Sequence, residues 1–382
     1  VELVGEYQNS GLIESPWLVR RPDGRMIEIS ELLYRVAEEF QGSDSITEVA
    51  NAVSIAVGRR LSDDNVRFLI ETKLAPLGVL VEAGDPEGVC PTDPQAPLLA
   101  MVRHSRVLPR RAVDALANLF QPLFCPAIVA FVLVALAVVD TWLVMRGDPV
   151  SGVLEVSRSL EFFVALTALL LLSMAFHEVG HAAACRYGGA QPGAIGVGLY
   201  LLWPAFYADV TDSYRLDRRG RLRTDLGGLY FNAVFVLATA ATYAVTGWRW
   251  LTLAVLLQHL QAVVQLFPFL RLDGYYVVSD ITGVPNLFGR IRPIIRSVFS
   301  RNLQDPRVVG LKPWTRRVVA GWVALSLAML GVVLYFVAKG TPEYAATIWS
   351  ANSYVFDELV RATLNLEILT AAGRLVQLFV LA

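Results

Sequence analysis

Five mostly apolar stretches, residues 122–145, 160–183, 227–246, 250–270 and 317–338, set the first constraint on this chain. Crossing the hydrocarbon of a bilayer takes roughly 20 apolar residues in a helix, because backbone polar groups must be satisfied internally there. Each stretch meets that length. A chain of 382 residues with mean hydropathy +0.49, its apolar residues concentrated in this way, is expected to be mainly α. The expected architecture is a polytopic transmembrane helical bundle. A sixth stretch, 363–382, is interrupted by Glu367 and Arg374, and would either span or lie in the interface as an amphipathic helix. Trp142, Trp248, Trp250 and Trp314 fall near the ends of these stretches, where interfacial aromatics belong.

Charge then orients the bundle. Formal net charge is only −1, so no overall field draws the chain to nucleic acid, and no basic stripe favours it. Arginine is unevenly placed. Arg103, Arg106, Arg110 and Arg111 precede the first stretch, and Arg215, Arg218, Arg219, Arg221 and Arg223 lie between the second and third. Eight more basic residues, from Arg290 to Arg317, lie between the fourth and fifth. The alternate loops hold Arg146, Arg158 and Arg249. By the positive-inside rule the N-terminal region is expected in the cytoplasm, with the protein in the cell membrane. A polar segment comes first, so insertion is expected to depend on the internal stretches.

Residues 1–90 are expected to form a small cytoplasmic α+β, winged-helix-like domain. Residues 17–29 suggest a β-hairpin turning at Pro22-Asp23-Gly24. Amphipathic helices are expected over 30–40, 46–58 and 62–74, with Ser45 and Ser62 as N-caps and a short strand over 78–82. Residues 91–118 suggest a linker, 119–340 the transmembrane domain, and 341–382 a C-terminal segment that would add a membrane helix. Cys90, Cys125 and Cys185 are odd in number and scattered, which excludes a disulfide framework and a CxxC metal pattern.

Within the second stretch stands His177-Glu178-Val179-Gly180-His181, an H-E-x-x-H pattern. On a helix the two histidines, four residues apart, lie on one face and can bind one Zn²⁺, while Glu178 supplies a base for water. These are two of the four histidines in the chain, placed where ionisable groups are expensive and mark function. A catalytic zinc site needs a third protein ligand. Asp273 ends the fourth stretch at the membrane side where the second ends, which puts it at matching depth. Asp209 and Asp212 are rival ligands. His259 stands fourteen residues before Asp273, about 21 Å along a helix, and suits an interhelical hydrogen bond instead.

On these residues the chain resembles the site-2 protease family of intramembrane zinc metalloproteases, over about residues 160–285. The family's later motif, N-x-x-P-x-P-x-x-D-G, is matched at Pro268, Asp273 and Gly274, with Gln265 in place of the Asn and Leu270 in place of the second Pro. A G-P-x-x-N pattern aligns with Gly228-Leu229-Tyr230-Phe231-Asn232, its Pro lost. The resemblance implies that Asn232 and Gln265 position the substrate or transition state; interhelical packing is the alternative for both. It also implies that residues 188–208, apolar yet rich in Gly and Pro, form a membrane-embedded hairpin whose edge holds an extended substrate by β-augmentation, where a cytoplasmic loop is the plainer alternative. The stretch from Trp203 to Asn232 is similar to the bacterial peptide zinc metalloprotease branch. The hairpin-then-helices order of residues 15–82 is similar to PqqD-like domains, which implies a leader peptide as partner.

The expectation is therefore a zinc-dependent intramembrane endopeptidase acting on a membrane-associated protein or peptide near the cytoplasmic face. The alternatives are a non-proteolytic, metal-dependent accessory protein of a peptide maturation or export system, and a zinc transporter. Glu178 speaks against the first. Against the second, no polar path continues across the membrane beyond Gln258, His259, Gln261 and Gln265.

Overall fold

The computed structural model describes the chain except for residues 8, 22–25, 43–44, 80–101, 201–202, 268–270, 285–286, 300–304 and 382. Three strands open it: β1 (Glu2–Glu6), β2 (Trp17–Arg20) and β3 (Met26–Ile29), antiparallel and in that order. The expected hairpin is present, its turn lying outside the described residues, and β1 extends it. Helices α1 (Glu31–Gly42), α2 (Ile46–Val57) and α3 (Asp63–Leu69) follow, the last running into a π turn over Ile70–Leu74. Ser45 Oγ accepts from the Glu48 N–H and Ser62 Oγ from the Asn65 N–H, each satisfying a donor that the first turn leaves free. Val19, Val36, Val53, Val66 and Leu74 are fully buried where these helices meet the sheet. The strand expected over 78–82 falls mostly outside the described residues.

Among the described residues, four helices are long and apolar enough to cross a membrane: α5 (Pro126–Arg146), α7 (Leu160–Tyr187), α9 (Gly227–Thr246), and residues Pro313–Val332 of α14 (Pro313–Leu364). This is one fewer than expected. The fourth stretch forms α10 (Trp250–Gln265), of 16 residues and about 24 Å long, short of the roughly 30 Å hydrocarbon thickness. Helix α5 buries only Val132 among its described side chains and exposes Phe131, Val134 and Val138, as a helix against lipid would. Helices α7 and α9 are the buried pair. They cross where Gly180 meets Gly227: a methyl on Gly227 would sit 2.6 Å from the Gly180 carbonyl oxygen, so only glycine allows this approach. Phe231, fully buried, packs against Phe176, Phe120 and Phe124 at centroid separations of 4.6, 5.8 and 5.8 Å.

Residues 102–118, expected as linker, are folded. Strand β4 (Val102–Leu108) leads into α4 (Arg110–Phe120), which buries Val113 and Ala117 against α7. Strands β5 (Ile195–Tyr200) and β6 (Trp203–Ala208) form the hairpin expected over 188–208, and β4 joins it in the order β4-β5-β6, all antiparallel. Between them and α9 lie a 3-10 turn (Thr211–Arg215) and α8 (Arg218–Asp225). After α10 come α11 (Asp273–Thr282), α12 (Phe288–Phe299) and α13 (Pro306–Val309).

Helix α14 continues for 52 residues, well past the fifth stretch, before turning back as α15 (Ile368–Leu381). Arg374, expected to interrupt a span, is instead 6% exposed. It donates to the Ser157 and Arg158 carbonyls, and Gln377 donates to those of Val156 and Ser157. These are the last carbonyls of α6 (Pro149–Arg158), which no intrahelical donor reaches, and a cation suits that end of the helix dipole.

Candidate metal centre

Ser159 starts α7 by accepting from the Phe162 N–H at 3.2 Å, and the helix then runs 28 residues, long enough to carry its last turns beyond an apolar span. Those turns hold His177 and His181. The spacing of four puts both rings on one face, with Nε2 atoms 3.1 Å apart. Asp273 comes from another element, the first turn of α11. Its Oδ2 lies 3.0 Å from His177 Nε2 and its Oδ1 3.4 Å from His181 Nε2. Both histidines are buried, and among the described residues this trio is the group of donors placed to hold a metal ion, all within 4.8 Å of one another.

The donor set fits zinc. Two ligands at 2.0–2.1 Å from a tetrahedral ion lie about 3.3 Å apart, and each histidine Nε2 has the other histidine's Nε2 and one Asp273 oxygen within 3.0–3.4 Å. Orientation supports the same conclusion. His181 Nδ1 donates to the Thr224 carbonyl at 2.8 Å, which fixes the neutral tautomer and leaves the Nε2 lone pair turned toward the cluster. His177 Nδ1 is buried without a partner among the described residues. Two Nε2 atoms and a carboxylate facing one another have at most a shared proton to hold them, and a divalent cation resolves the crowding.

Glu178 stands beside the trio on the wall of a cavity of about 530 Å³. Ala208, at the end of β6, lines the cavity with it. Residues Ala205–Asp209 line the same cavity, and β6 pairs with β5 along its other edge. Gln261, Gln265, Tyr276 and Asp280 complete the opposite wall.

The remaining sequence candidates separate. Asp209 Oδ1 accepts from Thr211, and Asp212 is engaged with Arg215, Arg20 and the Gln191 N–H, so neither rival ligand joins the histidines. His259 makes the expected interhelical contact, its Nε2 3.3 Å from Asp140 of α5. Gln265 reaches the cavity. Asn232 is buried, with both amide atoms unpartnered among the described residues, and sits one turn past Gly228 on the same face of α9. Pro268 and Leu270 lie outside the described residues.

A 133-residue segment is 24% identical to a curated protein of Bacillus subtilis (strain 168) named "Putative peptide zinc metalloprotease protein YydH". It covers 34% of this chain and 52% of that protein, so the chain spans about half the length of the relative it matches. No family model and no solved structure matches. The likeness suggests relation to a metalloprotease family, and zinc as the metal.

Sequence reasoning missed the glycines that make room for the site. A methyl on Gly228 would sit 2.5 Å from both His177 Cε1 and His181 Nε2, so α9 presses bare backbone against the two imidazoles. The signal was present as Gly227-Gly228 at the start of an apolar stretch, a small-residue pattern of close helix approach. Thr224 was missed too, because a backbone carbonyl carries no sequence signal.

Proposed function

We propose that the chain is a zinc-dependent intramembrane endopeptidase that cleaves a membrane-associated protein or peptide near the cytoplasmic face of the cell membrane. The observation that carries this reading is the convergence of His177, His181 and Asp273 beside Glu178, on one cavity wall with β6. His177, His181 and Asp273 would hold the ion. When bound, zinc supplies Lewis acidity, which makes water easier to deprotonate and polarises a carbonyl.

Glu178 is the general base in this proposal. It takes a proton from the attacking water as the water oxygen bonds to the scissile carbonyl carbon. It then returns that proton to the amine nitrogen as the C–N bond breaks. The β6 edge receives the substrate as an added extended strand, which also keeps its backbone unwound for attack. Gln265, on the wall, positions the substrate carbonyl. Asn232 is assigned the same role and reaches it only by swinging its unpartnered amide into the cavity.

The arginine-rich segments support a cytoplasmic side for the N-terminal region and the metal-bearing ends of α7 and α11 in this reading. The strand-and-helix unit of residues 1–79 would recruit a leader peptide or another substrate. The test is processing of a co-expressed membrane or leader peptide by wild type beside Glu178→Gln. Equal processing by both would sink the reading.

A further inference from the structure

The metal cluster continues inward as a buried polar chain that ends in the N-terminal segment. His181 donates to the Thr224 carbonyl, and the next residue, Asp225, lines the same cavity as Asp280 of α11. Asp280 Oδ1 accepts twice, from the Tyr7 hydroxyl at 2.8 Å and from Arg221 Nε at 3.0 Å. The Arg221 guanidinium lies over the Tyr7 ring at 4.7 Å, and its Nη1 donates to the Leu216 carbonyl. Tyr7 is 2% exposed. Burial, and then the neighbouring Asp280, push the Asp225 carboxyl well above the usual carboxylate range.

Tyr7 is held there by a strap. The Gly11 N–H and the Ser10 hydroxyl both donate to the Gly283 carbonyl. The Ile13 N–H donates to Gly310, and the Lys312 N–H and Thr315 hydroxyl both donate to Gly11. Space around the strap is closed: a methyl on Gly11 would lie 2.5 Å from Thr315 Oγ1. Glue between two regions would be served by apolar contacts. Desolvating an arginine, two carboxyls and a tyrosine hydroxyl costs several kcal/mol, which orientation of a neighbouring site can justify.

We infer that Tyr7 is a positioning residue of the metal centre. Through Asp280 and Arg221 it fixes the end of α8, so that the Thr224 carbonyl holds His181 with Nε2 toward the other two ligands. Docking of the N-terminal segment thereby sets metal affinity, and a pull on that segment loosens the ion. The inference rests on the metal-centre reading and adds a control point to it.

The test uses the full chain in detergent with Co²⁺ as probe, comparing wild type, Tyr7→Phe and Gly11→Ala. Tyr7→Phe keeps the ring beneath Arg221 and removes only the hydroxyl. Co²⁺ affinity is expected to fall about tenfold in both variants, the size seen when partners behind metal ligands are lost. The ligand-field bands should shift. Amide exchange over residues 218–226 of the metal-free protein should quicken, while the Tyr7→Phe melting temperature without metal holds. Wild-type affinity and spectrum in Tyr7→Phe would overturn the inference. Absence of Co²⁺ binding by wild type would overturn it together with the metal reading. Loss of affinity as expected, with Glu178→Gln still cleaving, would leave it standing and refute only the protease reading.

Discussion

Gly228→Ala is a one-methyl change that should empty the metal site. The added Cβ would sit 2.5 Å from His181 Nε2 and from His177 Cε1, against a comfortable contact of about 3.5 Å, so roughly 1 Å must be found. Neither side yields easily. His181 is tied to Thr224, and α9 cannot retreat as a rigid body without opening the Gly180–Gly227 crossing and the packing around Phe231. Metal–ligand distances tolerate about 0.2 Å, so a 1 Å displacement of donor atoms takes them out of range. The overpacking itself should cost about 1–3 kcal/mol of stability, which a fold of this size survives. The assay is zinc stoichiometry by elemental analysis and affinity by chelator competition, with a thermal melt to show that the variant folds. Gly321→Ala is the control, because a methyl there meets nothing within 4 Å. Zinc affinity should drop at least 100-fold in Gly228→Ala and hold in Gly321→Ala. Wild-type affinity in Gly228→Ala would refute the stated packing of α9 on the imidazoles.

Three further outcomes follow from the same geometry. Asp273→Ala should lose zinc while Asp209→Ala keeps it, measured by elemental analysis of the purified proteins; undiminished zinc in the Asp273 variant would refute its role as ligand. Phe231→Ala removes a fully buried ring from the crossing of α7 and α9 and should cost about 3–5 kcal/mol, read from denaturant or thermal unfolding in detergent. Arg374→Ala leaves the last carbonyls of α6 short of donors and should cost about 1–3 kcal/mol, with faster amide exchange in α15 as the local sign.

Local chemistry was the legible part of this chain. Ser45 and Ser62 sit where their helices start, because an N-cap needs only neighbours three residues on. His177 and His181 share a face by spacing alone, and Asp273 was reachable because membrane depth reduces a three-dimensional search to one coordinate. Non-local features were not legible. Strand β4 pairs with β5 nearly ninety residues later, and β1 joins a hairpin with which it shares no turn signal. Helix α10 stops at Gln265, with Leu266 as its C-cap, although the sequence beyond is as apolar as that before. Arg374 looked like an interruption because its partners, the carbonyls of Ser157 and Arg158 and the side chain of Gln377, come mostly from more than two hundred residues away. The same holds for Tyr7, whose partner Asp280 is 273 residues distant.

Proteolysis itself is tested most directly by the peptide termini that the chain creates in a membrane. Wild type and Glu178→Gln are expressed to equal levels, zinc content is measured in each, and new termini in the membrane fraction are read by mass spectrometry. The expected result is a set of termini present with wild type and absent with Glu178→Gln, while both proteins carry zinc. Identical termini from the two zinc-loaded proteins would contradict the proposal that Glu178 at this site breaks peptide bonds.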